Sequence, residues 1–187
     1  MQNSTVELTS LDCPRVRTFK RREIVPLQED TLWQIQSGTV RLLTISEDGA
    51  IITLGFWGVG DSTGYPLVCI QPCYMECLTT VEAARLNINQ CWNMNQVMLA
   101  HISQMQELMR IRHGQTLQRI QLLLNWLASK FGSRIDQGYL IHLRLTHQQI
   151  AEAIGSSRVT VTRLIHELER TDVISYSERH HIILHSC

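Results

Sequence analysis

Three sets of side chains in this sequence have the types and spacing to do chemistry. The first is Cys69-x3-Cys73-x3-Cys77, to which Cys91 could add a fourth thiol. Thiolates bind zinc and iron–sulfur clusters. The x3 spacing lacks the x2 knuckle common in such sites, and Pro72 interrupts any single strand that would align the three. Small thiols in a reduced compartment are the simpler reading, with a metal or redox-sensing centre as the alternative. The second set is the histidines. None precedes His101, and seven of the eight lie beyond residue 109. A metalloenzyme on a small barrel needs two or three histidines inside it, so this distribution argues against one. No Ser-His-Asp, Cys-His or paired-carboxylate spacing stands out, and no phosphate-loop glycine motif occurs. The chain is therefore expected not to be an enzyme and to hold no cofactor.

The third set is Arg158 and Arg163, five residues apart in a stretch running from Thr146 to Leu168. Ile150, Ala151 and Ile154 share one face of a first helix over 146–154. Gly155 allows a sharp turn. Val161, Leu164, Ile165 and Leu168 anchor a second helix over 158–170. This is the pattern of a helix-turn-helix, in which the start of the second helix enters the DNA major groove. Arg158, Val159 and Arg163 are left to face base edges there. A guanidinium fork matches guanine O6 and N7, and a valine packs on a thymine methyl. Ser157, Thr160 and Thr162 are candidates for phosphate contacts, as are Thr146 and Gln148 at the start of the first helix. Thr146 and Gln149 are spaced as a capping box.

Other elements must hold this motif in place. Strands are predicted over 31–37, 39–45 and 51–57, separated by Gly38 and by Asp48-Gly49, with closing strands over 78–81 and 84–88. Glycines at 38, 49, 55, 58, 60 and 64 suit the corners of a small barrel or sandwich. From Asn93 to Arg112 there is neither glycine nor proline. Met94, Met98, His101, Met105, Leu108 and Arg112 step by alternating fours and threes, the spacing of a coiled-coil seam. A dimer helix is expected, with one helix packed on the chain's own barrel as the alternative. Thr116 to Phe131 reads as another helix, ended by Gly132. A short strand over 139–145 precedes the motif, and a hairpin over 173–176 and 181–184 follows it as a wing.

The 187 residues include 17 Lys/Arg and 17 Asp/Glu, but the neutral total conceals an asymmetry. Residues 1–109 carry seven cations and eleven anions; residues 110–187 carry ten and six. A basic C-terminal half fits a polyanionic partner. No apolar run approaches the ~18 residues that span a bilayer, and the first residues lack a signal peptide's basic start and apolar middle. A soluble cytoplasmic protein without a membrane partner is expected.

This order of elements resembles the cyclic-AMP-receptor/FNR (CRP/FNR) family of bacterial transcription regulators. The resemblance covers nearly the whole chain. It rests on Phe19…Glu23-Ile-Val, Leu32-Trp-Gln-Ile-Gln-Ser-Gly38, Asp48-Gly49, Gly60-Asp61…Gly64 and, most strongly, Gly155-Ser-Ser-Arg-Val-Thr-Val-Thr-Arg163. The last segment is similar to the recognition helix of the cyanobacterial global nitrogen regulators. The resemblance implies an α+β fold. Residues 1–88 would form an N-terminal β-roll of the cyclic-nucleotide-binding, jelly-roll type. Residues 89–113 would form a long central dimerisation helix, and residues 114–187 a C-terminal winged helix-turn-helix. It also implies a homodimer on double-stranded DNA that works with RNA polymerase. Valine at 159, where the family commonly has glutamate, implies a palindrome with GTA-type half-sites about 34 Å apart. Family members that bind cyclic AMP clamp its phosphate with an Arg-Ser pair. Here Gly64 is followed by Tyr65-Pro66, and no Lys or Arg lies between Arg41 and Arg85. An uncompensated buried phosphate would be costly, so cyclic-nucleotide dependence is not expected. Oxygen-sensing relatives carry most of their cluster cysteines near the N-terminus, where this chain has only Cys13. The sequence names no small-molecule effector.

Overall fold

The computed structural model describes residues 15–88 and 93–185. Its N-terminal part is a roll of two four-stranded antiparallel sheets. The strands are β1 (Val16–Phe19), β2 (Ile24–Val25), β3 (Thr31–Ser37), β4 (Val40–Ile45), β5 (Ile51–Trp57), β6 (Ser62–Gly64), β7 (Cys73–Cys77) and β8 (Val81–Asn87). One sheet has the order β1-β8-β3-β6 and the other β2-β7-β4-β5. Alternation decides the register: along β3, Trp33 and Ile35 are buried while Gln34 and Gln36 face solvent. These side chains join Phe19, Val40, Leu42, Trp57 and Met75 in the core of the roll.

Two strand expectations change. The closing strands over 78–81 and 84–88 are one strand, β8, and residues 78–80 form a corner. Leu78 N–H bonds the Thr39 carbonyl and Thr79 Oγ1 accepts from Thr39 N–H, each at 2.9 Å. Gly38 makes this corner possible, with φ 82° and a site where a Cβ would sit 2.1 Å from the Thr80 carbonyl oxygen. The unexpected strand β7 is short, and Pro72 just before it weakened its pattern. It is paired on both sides, to β2 and to β4.

Two helices follow, α1 (Met94–Ile111) and α2 (Thr116–Phe131). Gly114 lies between them at φ 91°. The inward face of α1 carries His101, Gln104, Leu108 and Ile111, which lie against the chain's own body. Gln104 Oε1 accepts from Phe56 N–H at 2.7 Å, and Arg112 Nη2 donates to the Thr53 carbonyl at 2.5 Å. Both bonds fall on the free edge of β5. His101 Nε2 donates to the Ser62 carbonyl at 3.1 Å, with its ring tilted at 36° to that of Trp57.

The remaining elements are β9 (Gly132–Ile135), β10 (Gly138–Ile141), α3 (His147–Ile154), α4 (Arg158–Arg170), β11 (Ile174–Tyr176) and β12 (Ile182–His185). They include a third sheet, ordered β11-β12-β10-β9. The strand expected over 139–145 is shorter, ending at Ile141, and β9 is an addition that starts directly at Gly132. One hydrophobic cluster runs from Phe56 and Leu108 through Leu124 and Leu127 to Ile150, Ile154, Val161 and Ile165. The helix-turn-helix is thus packed onto the first half rather than tethered loosely to it. No helix among the described residues is long and apolar enough to cross a membrane.

Candidate nucleic-acid interface

The helix-turn-helix is fixed at three points by local chemistry. Thr146 Oγ1 accepts from Gln149 N–H at 3.1 Å, and Gln149 Oε1 accepts from Thr146 N–H at 2.9 Å, closing the capping box of α3. Gly155 ends α3 in the left-handed conformation, φ 67°, ψ 54°. No atom lies within 4 Å of where its Cβ would be, so glycine is needed there for the backbone angle and not for space. Ser157 Oγ then accepts from Thr160 N–H at 3.1 Å and caps α4. Val161, Leu164, Ile165 and Leu168 face inward. The opposite face is left to Arg158, Val159 and Arg163, all exposed, with Val159 at 80%. Neither guanidinium makes a hydrogen bond or ion pair to another described residue. Two free, fixed-charge forks therefore stand on the first turns of one helix, with an apolar side chain beside them.

The five expected phosphate contacts divide. Thr146 and Ser157 are exposed, but their hydroxyls already serve as caps. Thr160 Oγ1 lies 2.9 Å from Ser157 Oγ. Thr162 Oγ1 is joined to His147 Nδ1 at 2.9 Å, tying α4 back to the start of α3. Burial, with His166 and Arg158 nearby, lowers the pKa of His147 and favours its neutral ring. Gln148 donates to Glu152 Oε1 at 2.9 Å. That bond directs Gln148 toward the roll.

Glu152 belongs to a cluster that local sequence reading had no means of finding. Its Oε2 lies 2.6 Å from Arg41 Nη1, and Arg41 Nε lies 2.6 Å from Glu76 Oε2. Arg41 is 5% exposed and Glu152 8%. A guanidinium from β4 thus joins β7 to α3, and its bond to Glu152 spans 111 residues of sequence. Arg112 adds a second tie, donating through Nε to the Ala153 carbonyl at 2.9 Å. Burial lowers the pKa of this guanidinium.

The expected helix seam is divided by this arrangement. His101, Leu108 and Arg112 point into the chain's own roll and helix-turn-helix, so they are not free to meet a partner. Met98 and Met105 are exposed, and Leu99, Ile102 and Met109 are exposed beside them, Met109 at 73%. Met94 is half-buried. The periodicity was real, but it marked the border between two faces of one helix.

The cysteines do not converge. Cys73 and Cys77 are four residues apart on β7, a separation of about 13 Å at the rise of a strand. Cys77 is buried in the roll and Cys69 is exposed. Burial pushes the Cys73 thiol up to about 11 and the Cys77 thiol up to about 12, away from the thiolate that a metal needs. Among the described residues no group of three or more Cys, His, Asp or Glu could hold a metal ion. Cys13 and Cys91 lie outside those residues.

Residues 118–187 match the Crp-like helix-turn-helix domain. The chain is 38% identical to the regulatory protein CysR of Synechococcus elongatus over 164 residues, covering 85% of this chain and 79% of that protein. It is 30% identical to the global nitrogen regulator of a Nostoc species over 188 residues, covering 89% and 83%. The chain belongs to the CRP/FNR family of transcription regulators. Among solved structures, a CRP-family regulator from Thermus thermophilus superposes with TM-score 0.75 at 24% identity, over 91% of this chain and 92% of that one. FixK2 from Bradyrhizobium japonicum superposes with TM-score 0.74 at 16% identity, over 93% of each. The fold is therefore that of a CRP/FNR regulator, with a β-rich N-terminal part and a C-terminal DNA-binding helix-turn-helix. In this CRP/FNR chain the roll has a small apolar cavity of about 170 Å³ against α1. It is lined by residues that include Leu42, Leu54, Trp57, His101 and Met105, and among the described residues no Lys or Arg lines it.

Proposed function

We propose that the protein is a homodimeric regulator that reads a palindromic DNA site with GTA-type half-sites. The observation that carries this reading is the pair Arg158 and Arg163, exposed and bonded to no described residue at the start of α4, with Val159 between them. Each fork suits a guanine edge, and Val159 suits a thymine methyl but offers no acceptor to cytosine. Exposed Met98, Leu99, Ile102, Met105 and Met109 on α1 support a second copy as partner, since an apolar helix face of this kind is costly in water. Two-fold symmetry would then set the recognition helices about 34 Å apart. The cation-free cavity supports regulation without a cyclic nucleotide. RNA polymerase is the expected protein partner, and the cytoplasm the expected compartment. Switching, where it occurs, would turn the DNA-binding part about Gly114 and so change the spacing of the two α4 helices.

The test is a gel-shift titration of Arg158→Ala against selected and scrambled duplexes. The preference for the selected site should fall by about 1–3 kcal/mol per altered base contact, while fold and oligomeric state stay as in the parent protein. Undiminished preference would overturn the assignment of the half-site.

A further inference from the structure

The N-terminal half is acidic overall, yet five of its seven cations fall within eight residues: Arg15, Arg17, Lys20, Arg21 and Arg22. They occupy the residue before β1, β1 itself and the turn into β2. The turn is built with some strain. Arg22 is held at φ 70°, a conformation that few non-glycine residues adopt, by its N–H donating to the Cys77 carbonyl at 2.7 Å. Lys20 N–H donates to Glu23 Oε2 at 2.8 Å and closes the other side. The result is a pair of adjacent exposed arginines on a corner of the roll.

That corner faces the helix-turn-helix. Arg21 and Arg22 line one open cleft of about 580 Å³ together with Arg144, Arg158, His147 and His180. Among the described residues no carboxylate lines it. Four guanidiniums around one cleft repel each other, so the arrangement suits an anion that visits all of them. The groups are exposed or only half-buried, and a small anion held there would stay hydrated and weakly bound. A polyanion differs, because each phosphate it places beside a cation releases a condensed counterion. The cleft is also continuous with the start of α4, where Arg158 already faces outward.

We propose that the roll itself is part of the DNA interface: Arg21 and Arg22 bind backbone phosphates flanking the sequence that α4 reads. This inference rests on the DNA-binding reading above and extends it from the helix-turn-helix to the other half of the chain. The turn contributes affinity without sequence preference, because phosphates carry none. It also lengthens the duplex that one subunit covers.

The experiment compares the parent chain with the double variant Arg21→Gln, Arg22→Asn on two duplexes. Asparagine tolerates the left-handed backbone at position 22, and neither turn-closing hydrogen bond uses the side chain of residue 21 or 22, so the fold should be kept; circular dichroism checks this. One duplex carries only the selected palindrome, and the other adds about ten flanking base pairs on each side. Dissociation constants are measured from about 50 to 200 mM salt. On the long duplex the variant should bind about tenfold more weakly, and its salt slope should be shallower by about two per subunit. On the short duplex the two proteins should be alike, and preference between selected and scrambled sites should be unchanged. Equal salt slopes on the long duplex would overturn the proposal while leaving the Arg158 reading intact. If inorganic phosphate at low millimolar concentration saturates the cleft and competes with neither duplex, a small-anion site replaces it. If the parent chain binds no duplex, both readings fall together.

Discussion

Arg41 and Arg158 carry the same group and sit in opposite circumstances. Arg41 is buried between two carboxylates, Glu76 and Glu152, and its forks are filled by its own chain. Arg158 is exposed, fixed by a capped helix, and bonded to no described residue. A guanidinium that is buried must be paired, or its desolvation goes uncompensated. One held on a rigid surface without a partner is positioned for a partner from outside. Residue type is thus uninformative about role until burial and bonding are known.

The comparison can be broken most sharply at Arg41. Arg41→Met should lower stability by about 3–5 kcal/mol in urea unfolding, because the buried Glu152 and the half-buried Glu76 lose their cation. Adding Glu152→Gln should recover part of that loss. A midpoint unchanged by Arg41→Met would show that the buried and exposed arginines are equivalent after all. The exposed side predicts the reverse pattern. Val159→Glu should leave stability within about 0.5 kcal/mol but move base preference from thymine toward cytosine by about 1–3 kcal/mol, as read by selection from a random duplex pool. A smaller effect tests the frame that holds the exposed pair. Thr146→Ala should cost about 1 kcal/mol of stability through loss of the α3 cap, measured by thermal unfolding.

The smallest effect concerns pH. Burial lowers the pKa of His101, and burial with neighbouring cations lowers those of His147 and His181. The folded state therefore prefers the neutral rings. Their contribution is fully present above the unfolded value near 6.5 and is lost as pH falls through the lowered folded values. The urea midpoint should decline between pH 7 and pH 5, and His101→Gln should flatten the decline.

The α3–α4 motif was legible in the sequence because its determinants are local. Apolar spacing, the Thr146–Gln149 pair and Gly155 each act within a few residues. The Arg41–Glu152 bond was not, because it joins positions 111 apart and neither residue differs from an ordinary surface charge in a linear reading. The α1 seam was legible as a period but not as a direction. A heptad pattern is satisfied equally by a neighbouring subunit and by the chain's own roll, and here His101, Leu108 and Arg112 took the second course. Strand β7 carries little strand signal in the sequence, because Pro72 precedes it and two of its five residues are cysteines.

The contacts made by Gln104 and Arg112 have one more consequence. In its sheet β5 has β4 on one side only, so its outer main chain would present unclaimed donors and acceptors to solvent. Phe56 N–H and the Thr53 carbonyl are instead taken by side chains descending from α1. An open strand border is a template on which a foreign strand can grow, and it is a common start of clumping and swapped assemblies. The long helix therefore also works as a selvage: it binds off the raw margin of the fabric so that copies of the chain do not stitch themselves together there.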